Sequence, residues 1–569
     1  MAERKNAGGA GQGGFRQAQA WLHTWCGLWF SWLLFAVFFT GTLAVFEEPI
    51  SHWMTPEHHA QEQEQEQEQA QAQAAARASG QRGGDLGQRL AWGLAYMEKH
   101  HPGAEMWELW PSDAEGAGDL RVYWFDEKRQ YAAAELDSAT GQPLGKDQAH
   151  GAVRATKGGH HFVDFHYRLH AGQAGLWVVG IAGMAMLVAL LSGVITHRRI
   201  FKDFFTFRAR KGQRSWLDAH NAVAVLTLPF QIMIAYTGIA ISASTLMPAG
   251  IAAYFGTGSQ GLRDYVVALN ESDRPASSGR AMAVPQLEPF VQRAQVLMGQ
   301  PVRAVVVDNP GDAAARIGVY GWNSEEEMQR RLNPTTGMVM FSAATAEVLR
   351  LRQPGEVDGG DASMAKSVIG SLHQVEFGGQ ALKWLYFLCG LAGSAMMASG
   401  AILFMVKRRG KHPGRQAGEF GSATARVYRL VEGLNVAAIA GLGLGCIGYL
   451  WANRLVPVGL SHRASWELAV FFGLWGLTLL HAMVRAPAAA WREQLGLLAA
   501  LCLLLPLLNW ITVGDSLPAQ IARGDWESAG VELSAMALGL LAAWAWHYLR
   551  RRSVRSESPV SAGKMEVGT

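Results

Sequence analysis

Charged residues are scarce in this sequence, and the common nucleotide-binding and catalytic motifs are missing from it. Only 17% of the 569 residues are charged, whereas 49% are hydrophobic and 21 are tryptophan, a composition that is rare in soluble multidomain proteins. The sequence has no suitably placed GxGxxG fingerprint, P-loop, HExxH or GxSxG motif, which excludes a recognisable nicotinamide, flavin, nucleotide or protease site. The net charge of +3 gives no support to nucleic-acid binding.

Cysteine is also rare. The four cysteines all lie inside apolar runs, where neither a disulfide framework nor a CxxC-type metal site is expected: Cys26, Cys389, Cys446 and Cys502. We interpret them as small packing residues.

The hydrophobic residues are clustered in eight runs, each long enough to cross a bilayer core as a helix. The predicted spans are residues 21–46, 172–196, 219–243, 382–406, 428–451, 466–484, 494–513 and 531–549. The first run begins near Trp21 and lacks an A-x-A cleavage site. We therefore expect it to remain as a helix and not to be removed as a signal peptide.

Basic clusters follow the second, fourth and eighth spans, at residues 197–199 with 202–214, at 407–415 and at 550–555. The positive-inside rule places these ends in the cytoplasm, which predicts a multi-pass bacterial inner-membrane protein with both termini cytoplasmic. The cluster at residues 198–214 mixes cations with aromatic residues, a combination typical of contact with anionic lipid and also able to bind haem propionates.

Two long segments between spans, about residues 47–171 and 244–381, are then predicted to be periplasmic. Each has a helical stretch, strand-like alternation and a D/N-x-x-T-G turn, ending at Gly141 and Gly337, where glycine suits a positive φ in a hairpin loop. The Gln- and Glu-rich residues 61–76 are predicted to be a solvated spacer.

The predicted fold class is therefore a mainly α membrane protein with about eight transmembrane helices and two periplasmic α+β modules. Its predicted domains are 1–46 (N-terminus and first span), 47–171 (module 1), 172–243 (second and third spans), 244–381 (module 2), 382–424 (fourth span and basic loop) and 425–569 (a C-terminal four-helix extension).

Six of the 18 histidines lie in or beside the first four spans. Ionisable residues at such positions are functional-site candidates, and imidazole is a common axial ligand of haem iron. The predicted topology divides them into a cytoplasmic layer of His23, His197 and His220 and a periplasmic layer of His166, His170 and His373. If one helix ran from His170 to His197, its length would be about 40 Å.

Two b haems, one in each layer, are therefore expected. We prefer His23 with His220 for the cytoplasmic haem, with His197 as a substitute. We prefer His170 with His373 for the periplasmic haem, with His166 as a substitute. His166 and His170 share a predicted helix face, so one of them is expected to ligate the haem while the other holds a propionate or approaches the substrate. A single boundary histidine is more often an interfacial polar residue. The haem prediction therefore depends on the arrangement of all six histidines in two matched layers. Glycines near these positions, listed next, allow close approach of a flat macrocycle or simply of another helix: Gly27, Gly41, Gly172, Gly175, Gly180, Gly193, Gly238, Gly390, Gly393 and Gly400.

The histidines occur in segments that resemble the PepSY-associated transmembrane helix family, which includes iron-regulated inner-membrane proteins and ferric-siderophore reductases. The matching segments are residues 22–28 (LHTWCGL), 165–170 (FHYRLH), 192–207 (SGVITHRRIFKDFFTF), 216–221 (WLDAHN), 228–230 (LPF) and 372–379 (LHQVEFGG). The resemblance covers about residues 15–410. It implies two b haems held by helix histidines, with the PepSY modules and the periplasmic haem facing the acceptor.

The sequence departs from this family in two places. Gln231 stands where many members of the family have a histidine, so a third imidazole of the cytoplasmic half is missing here. Residues 425–569 add four helices, with His481 and His547 near their predicted cytoplasmic ends; these histidines are expected to be polar packing residues more often than part of a quinol or partner site.

The expected function is transmembrane electron transfer from a membrane quinol or a cytoplasmic reductase to a ferric siderophore or similar periplasmic iron chelate. Reduction to Fe(II) weakens binding by hard oxygen ligands and releases the metal. Two alternatives are open. One is a regulator whose PepSY modules restrain a periplasmic protease, without a cofactor. The other is a permease for the iron chelate, although the first four spans offer few deep polar residues for that purpose.

Overall fold

A computed structural model describes residues 10–57, 86–111, 120–125, 131–137, 140–143, 154–196, 213–270, 276–333, 335–358, 360–410 and 422–557. The predicted spacer at residues 61–76, His197 and most of the basic cluster at residues 198–214 lie outside these ranges.

The helices confirm all eight predicted spans and the fold class. In chain order they are α1 (Ala10–Ala44), α2 (Glu47–Met54), α3 (Leu86–His100), α4 (His160–Arg168), α5 (Gly172–Thr196), α6 (Gln213–Ile241), α7 (Ala243–Leu246), α8 (Pro248–Phe255), α9 (Gly258–Asn270), α10 (Glu288–Met298), α11 (Glu325–Arg330), α12 (Gly360–Gln374), α13 (Gly379–Gly410), α14 (Ser422–Val436), α15 (Leu442–Leu455), α16 (Arg463–Val484), α17 (Pro487–Val513), α18 (Leu517–Arg523) and α19 (Trp526–Glu557). A π-helical turn, Ala437–Gly441, joins α14 to α15 within one span.

The chain forms two compact units. The first, the membrane unit, comprises Met1–His59, Ala152–Tyr236 and Tyr386–Thr569, and the second, the sheet unit, comprises Ala60–Gly151 and Thr237–Leu385. The membrane unit contains α1 packed against α5, and the C-terminal helices α15 to α19 packed against one another. Its core is a continuous cluster of apolar side chains contributed by both groups of helices.

The chain does not continue as one helix from His166 through His170 into the second span. Helix α4 ends at Arg168, and Leu169 and His170 both adopt left-handed backbone conformations, with φ of 54° and 53°. A left-handed residue stops a right-handed helix. The prediction that His166 and His170 share one helix face is therefore wrong, and the second span begins at Gly172.

The strands of the two predicted α+β modules form one seven-stranded antiparallel sheet in the sheet unit. The strands are β1 (Met106–Trp110), β2 (Leu120–Phe125), β3 (Tyr131–Leu136), β4 (Val302–Asp308), β5 (Arg316–Gly321), β6 (Met338–Ser342) and β7 (Val348–Arg352). Their order is β3-β2-β1-β4-β5-β6-β7. The pairing of β1 with β4 joins the two repeats, with Trp107 opposite Val307. Apolar residues of α3 and α10 cover one face of the sheet.

The two T-G segments differ from each other. Gly141 has φ of +69° and closes a turn in which its N–H donates to the carbonyl of Asp137 over 2.8 Å, as the hairpin prediction requires. Gly337 is not among the positive-φ residues. It lies just before β6 and follows α11, which begins with a capping box between Ser324 and Glu327 and replaces the expected preceding strand.

Gln300 explains why residue 337 is small. The Gln300 side chain is 5% exposed; its Oε1 accepts the Gly337 N–H over 2.8 Å and its Nε2 donates to Asn323 Oδ1 over 2.6 Å. A Cβ at Gly337 would lie 3.1 Å from Gln300 Oε1. One buried amide therefore connects the starts of β4 and β6 with the residues that follow β5.

We expect Gln300→Ala to lower the thermal unfolding midpoint of the sheet unit, because the Gly337 N–H loses its buried acceptor, at a cost of about 1–3 kcal/mol. Tryptophan fluorescence during thermal unfolding of the full chain measures this midpoint. Gln292→Ala, which changes the exposed Gln292 of α10, is the matched control. Equal midpoints for the two variants would show that Gln300 does not stabilise this unit.

Candidate haem-binding histidines

His23 of α1 and His220 of α6 face each other within the membrane unit. Their ring centroids are 6.5 Å apart, and both side chains are partly exposed. Sequence reasoning paired the same two residues. Four helices surround the pair, because the main-chain partners of the two rings lie on α5 and α13.

Each ring uses Nδ1 to bind a neighbouring helix. His23 Nδ1 lies 2.8 Å from the carbonyl oxygen of Ala189, and His220 Nδ1 lies 3.0 Å from that of Met396. A carbonyl only accepts, so both Nδ1 atoms carry the proton, and in a neutral imidazole the lone pair is then on Nε2. Metal-binding histidines show this arrangement, in which the second ring nitrogen donates to a backbone carbonyl.

The distance between the two rings fits a shared iron ion. Metal–imidazole bonds are about 2 Å long, which puts the centroids of two opposed ligand rings roughly 6 Å apart. The observed 6.5 Å agrees with this value. Two glycines border the rings, since a Cβ on Gly193 would lie 3.0 Å from His23 Cε1 and one on Gly400 would lie 3.3 Å from His220 Cε1. The residues present therefore fit a bis-histidine haem.

His166 of α4, like His23 and His220, has a backbone carbonyl at Nδ1 and a glycine beside its ring. Its Nδ1 lies 2.7 Å from the carbonyl oxygen of Val37 in α1. A Cβ on Gly41, one turn further along α1, would overlap the His166 ring. Burial lowers the pKa of His166 below its usual value, which favours the neutral form that binds metal.

His373, near the C-terminus of α12 in the sheet unit, also follows the pattern. Its Nδ1 lies 3.0 Å from Thr237 Oγ1, a hydroxyl that can accept the Nδ1 proton. A Cβ on the adjacent Gly238 would lie 2.8 Å from His373 Cε1. Four histidines in the described chain thus combine an Nδ1 hydrogen bond with a neighbouring glycine: His23, His166, His220 and His373.

His170 has a different environment. Its Nε2 lies 2.8 Å from Nδ1 of His161, and the two rings stack with an interplanar angle of 18°. Its Nδ1 lies 3.7 Å from Asp164 Oδ2. The nitrogen that would face iron in the other four residues is therefore engaged with another imidazole in His170.

Sequence reasoning missed His161, which is fully buried. Desolvation by burial, with the nearby His170 imidazole, lowers the pKa of His161 to about 3. The ring is therefore neutral at physiological pH. The adjacent histidines His160 and His161 were a visible signal, but their partner depends on the left-handed turn at residues 169–170, which the sequence did not reveal.

The other residues singled out in the sequence, Gln231, His481 and His547, have polar partners or exposed positions. Gln231 is fully buried in α6 and donates from Nε2 to Thr227 Oγ1. His481 pairs with Glu493 over 2.7 Å, and His547 is on the exposed side of α19. The described residues include no group of three or more His, Cys, Asp or Glu side chains placed to hold a metal ion. A bis-histidine haem needs only two imidazoles from the protein.

The comparisons with known proteins match the part of the chain that carries these histidines. Over 410 residues, the chain is 25% identical to the Pseudomonas aeruginosa protein named "Uncharacterized protein PA4219", with 68% of this chain and 94% of that protein covered. The family model described as the PepSY-associated TM region matches residues 20–407. This protein is therefore a multi-pass membrane protein of the PepSY-associated transmembrane family.

Proposed function

We propose that this protein is a di-haem b oxidoreductase that carries electrons across the bacterial inner membrane and reduces a periplasmic ferric siderophore or similar iron chelate. The observation that carries the proposal is the pairing of His23 and His220 at 6.5 Å, with both Nδ1 atoms hydrogen-bonded to backbone carbonyls. Two imidazoles that only packed helices together would not need to share the tautomer that leaves the lone pair of each Nε2 available to a metal.

His23 and His220 would hold the haem on the side predicted to be cytoplasmic. For the haem on the other side, His166 replaces His170 as our preferred ligand, because its Nδ1 has a backbone carbonyl partner and its neighbour is Gly41. The sequence assigns His373 to the same layer; its Nδ1 lies beside the Thr237 hydroxyl in place of a backbone carbonyl, and Gly238 lies beside its ring. A haem with two imidazole ligands supplies a one-electron centre that alternates between Fe(III) and Fe(II).

The protein itself contributes orientation and polarity. Hydrogen bonds from Nδ1 fix the plane and tautomer of each ring and raise the basicity of Nε2. Buried apolar side chains of α1, α5 and α13 lie in the same helices that surround the rings, and an apolar environment is one of the factors that set the redox potential of a haem. The glycines beside the rings keep open the space that a side chain would fill.

The acceptor is proposed from the chemistry of iron chelates. One electron converts bound Fe(III) to Fe(II), a softer ion that hard oxygen ligands hold less tightly, so the metal is released. The proposed donor is a membrane quinol or a cytoplasmic reductase, because the sequence contains no recognisable site for a nicotinamide or flavin.

The proposal predicts about two b haems per chain in the purified wild-type protein. Pyridine haemochrome quantitation and the spectrum of the dithionite-reduced minus the oxidised protein measure this content. We expect His23→Ala and His220→Ala each to remove one haem, the same one, and His166→Ala to remove the other. His170→Ala should retain both. A folded wild-type protein without haem would reject the proposal in favour of the protease-regulator alternative.

A second prediction concerns the glycine beside His166. Gly41→Ala should lower the haem content to about one per chain, because the new methyl group takes the position of the imidazole ring and displaces it. Gly27→Ala is the matched control on the same helix, since a Cβ at Gly27 meets no atom within 4 Å. Both variants are compared for haem per chain and for yield of folded protein. Equal haem content in the two variants would contradict a close fit at Gly41.

A further inference from the structure

The family model ends at residue 407, so helices α14 to α19 lie beyond the part of the chain that it matches. We refer to these helices as the extension. Within the membrane unit, their side chains hold the segment of residues 154–158, which leads directly into α4, the helix that carries His166.

Almost every residue of this segment is held by the extension. Arg154 Nη1 donates to the carbonyl of Asn453 over 3.1 Å, and Arg463 Nη1 donates to the carbonyl of Ala155 over 3.3 Å. Thr156 Oγ1 donates to Glu467 Oε2 over 2.5 Å, and Tyr449 Oη donates to the carbonyl of Gly158 over 3.0 Å. Four of the five residues are therefore held, Ala155 and Gly158 through their main-chain carbonyls and Arg154 and Thr156 through their side chains. The four partners all belong to α15 and α16 and are Tyr449, Asn453, Arg463 and Glu467.

The centre of this network is an ion pair without solvent contact. Arg463 and Glu467 are both 0% exposed, with 2.5 Å between Nη1 and Oε1, and Asn453 Nδ2 also donates to Glu467 Oε1 over 2.9 Å. A buried pair is stable only when its remaining donors and acceptors are satisfied. Ala155 and Thr156 supply two of those partners. The position of the segment is therefore fixed by the hydrogen-bonding needs of the pair.

Helix α4 itself packs against the same two helices. The His161 ring lies 4.4 Å from the ring of Tyr449 and 4.5 Å from that of Phe471, measured between centroids. Phe165 contacts Phe471 at 5.6 Å and Trp475 at 5.7 Å. On α4, His166 instead reaches Val37 of α1. The helix thus has the extension on one side and α1 on the other.

Helix α2, which neighbours the start of α4, is held in the same way. The Arg454 guanidinium lies 3.7 Å from the ring centroid of Trp53, and Trp53 Nε1 donates to Glu532 Oε1 over 3.1 Å. Ser51 Oγ of α2 in turn accepts the Gly159 N–H over 2.8 Å. The segment that precedes α4 and helix α2, which contacts the start of α4, are therefore both held by buried polar groups of the extension.

We propose that the extension positions α4, and through it the imidazole of His166, so that this ligand keeps one orientation and one redox environment. Tyr449, Arg463 and Glu467 are the positioning residues, and none of them is proposed to touch the haem. The inference rests on the redox function proposed above.

The test uses the full-length protein with two variants of nearly constant volume. Glu467→Gln removes the charge that pairs with Arg463, and Tyr449→Phe removes the hydrogen bond to the carbonyl of Gly158. The matched controls, Glu493→Gln and Tyr548→Phe, make the same changes at exposed or partly exposed positions of the extension. Two readouts are compared: the potential and EPR spectrum of each haem centre, and hydrogen–deuterium exchange of residues 154–168. The exchange measurement is made on haem-depleted protein, so it does not depend on the cofactor.

We expect exchange of residues 154–168 to become about tenfold faster in both variants, since Glu467→Gln loses the buried ion pair and Tyr449→Phe loses a buried hydrogen bond. One haem centre should change its potential and EPR spectrum, and this should be the centre that His166→Ala removes. The centre of His23 and His220 serves as an internal reference and should not change. The controls should match the wild type in both measurements.

Other outcomes separate the two proposals. Unchanged exchange and unchanged spectra in Tyr449→Phe, which leaves the ion pair intact, would overturn the positioning role. Equal changes at both haem centres would overturn it as well, because the extension would then stabilise the whole bundle without preference. If the wild-type protein binds no haem but both variants still show faster exchange confined to residues 154–168, the positioning of α4 is upheld and the redox function is rejected.

Discussion

Imidazole rings inside an apolar helix bundle need hydrogen-bond partners, and this constraint determines how the membrane unit is arranged around its histidines. An unpaired polar group in such an environment costs several kcal/mol, and the carbonyls of Ala189, Met396 and Val37 accept the bonds from the Nδ1 atoms. Each of these bonds joins two helices that are distant in sequence. The same contacts that satisfy the rings therefore set the relative positions of α1, α4, α5, α6 and α13, and they select the tautomer that can bind iron.

The glycines acquire a specific role from this arrangement. Small residues in membrane helices usually allow two backbones to approach, and Gly390 beside Thr42 and Gly393 beside Phe38 fit that description. Gly41, Gly193, Gly238 and Gly400 instead face histidine rings. The sequence alone could not distinguish these two groups of glycines, because they differ only in which side chain of the facing helix lies against them.

Much of the fold could be predicted from the sequence, since an apolar run of about 20 residues has few alternatives to a membrane helix. The pairing of His23 with His220 was also predictable, as alternating topology puts the starts of α1 and α6 at the same face. The choice between His166 and His170 was not, because Leu169 and His170 adopt left-handed conformations that non-glycine residues seldom show. The single sheet was equally hidden: alternation indicates a strand, whereas the partner of β1 depends on packing between segments about 200 residues apart.

The pairing of β1 with β4 has a consequence for the biogenesis of the protein. Met106 pairs with Asp308, and the second and third membrane spans lie between these residues in the chain. During synthesis β1 can pair with β2 at once. Its other edge is covered only when β4 becomes available, after both spans have been synthesised and inserted. An exposed strand edge is a site of aggregation and mispairing. Correct insertion of α5 and α6 is thus a kinetic prerequisite for completing the sheet. A delay in membrane insertion would leave an aggregation-prone intermediate in which one edge of β1 is unpaired.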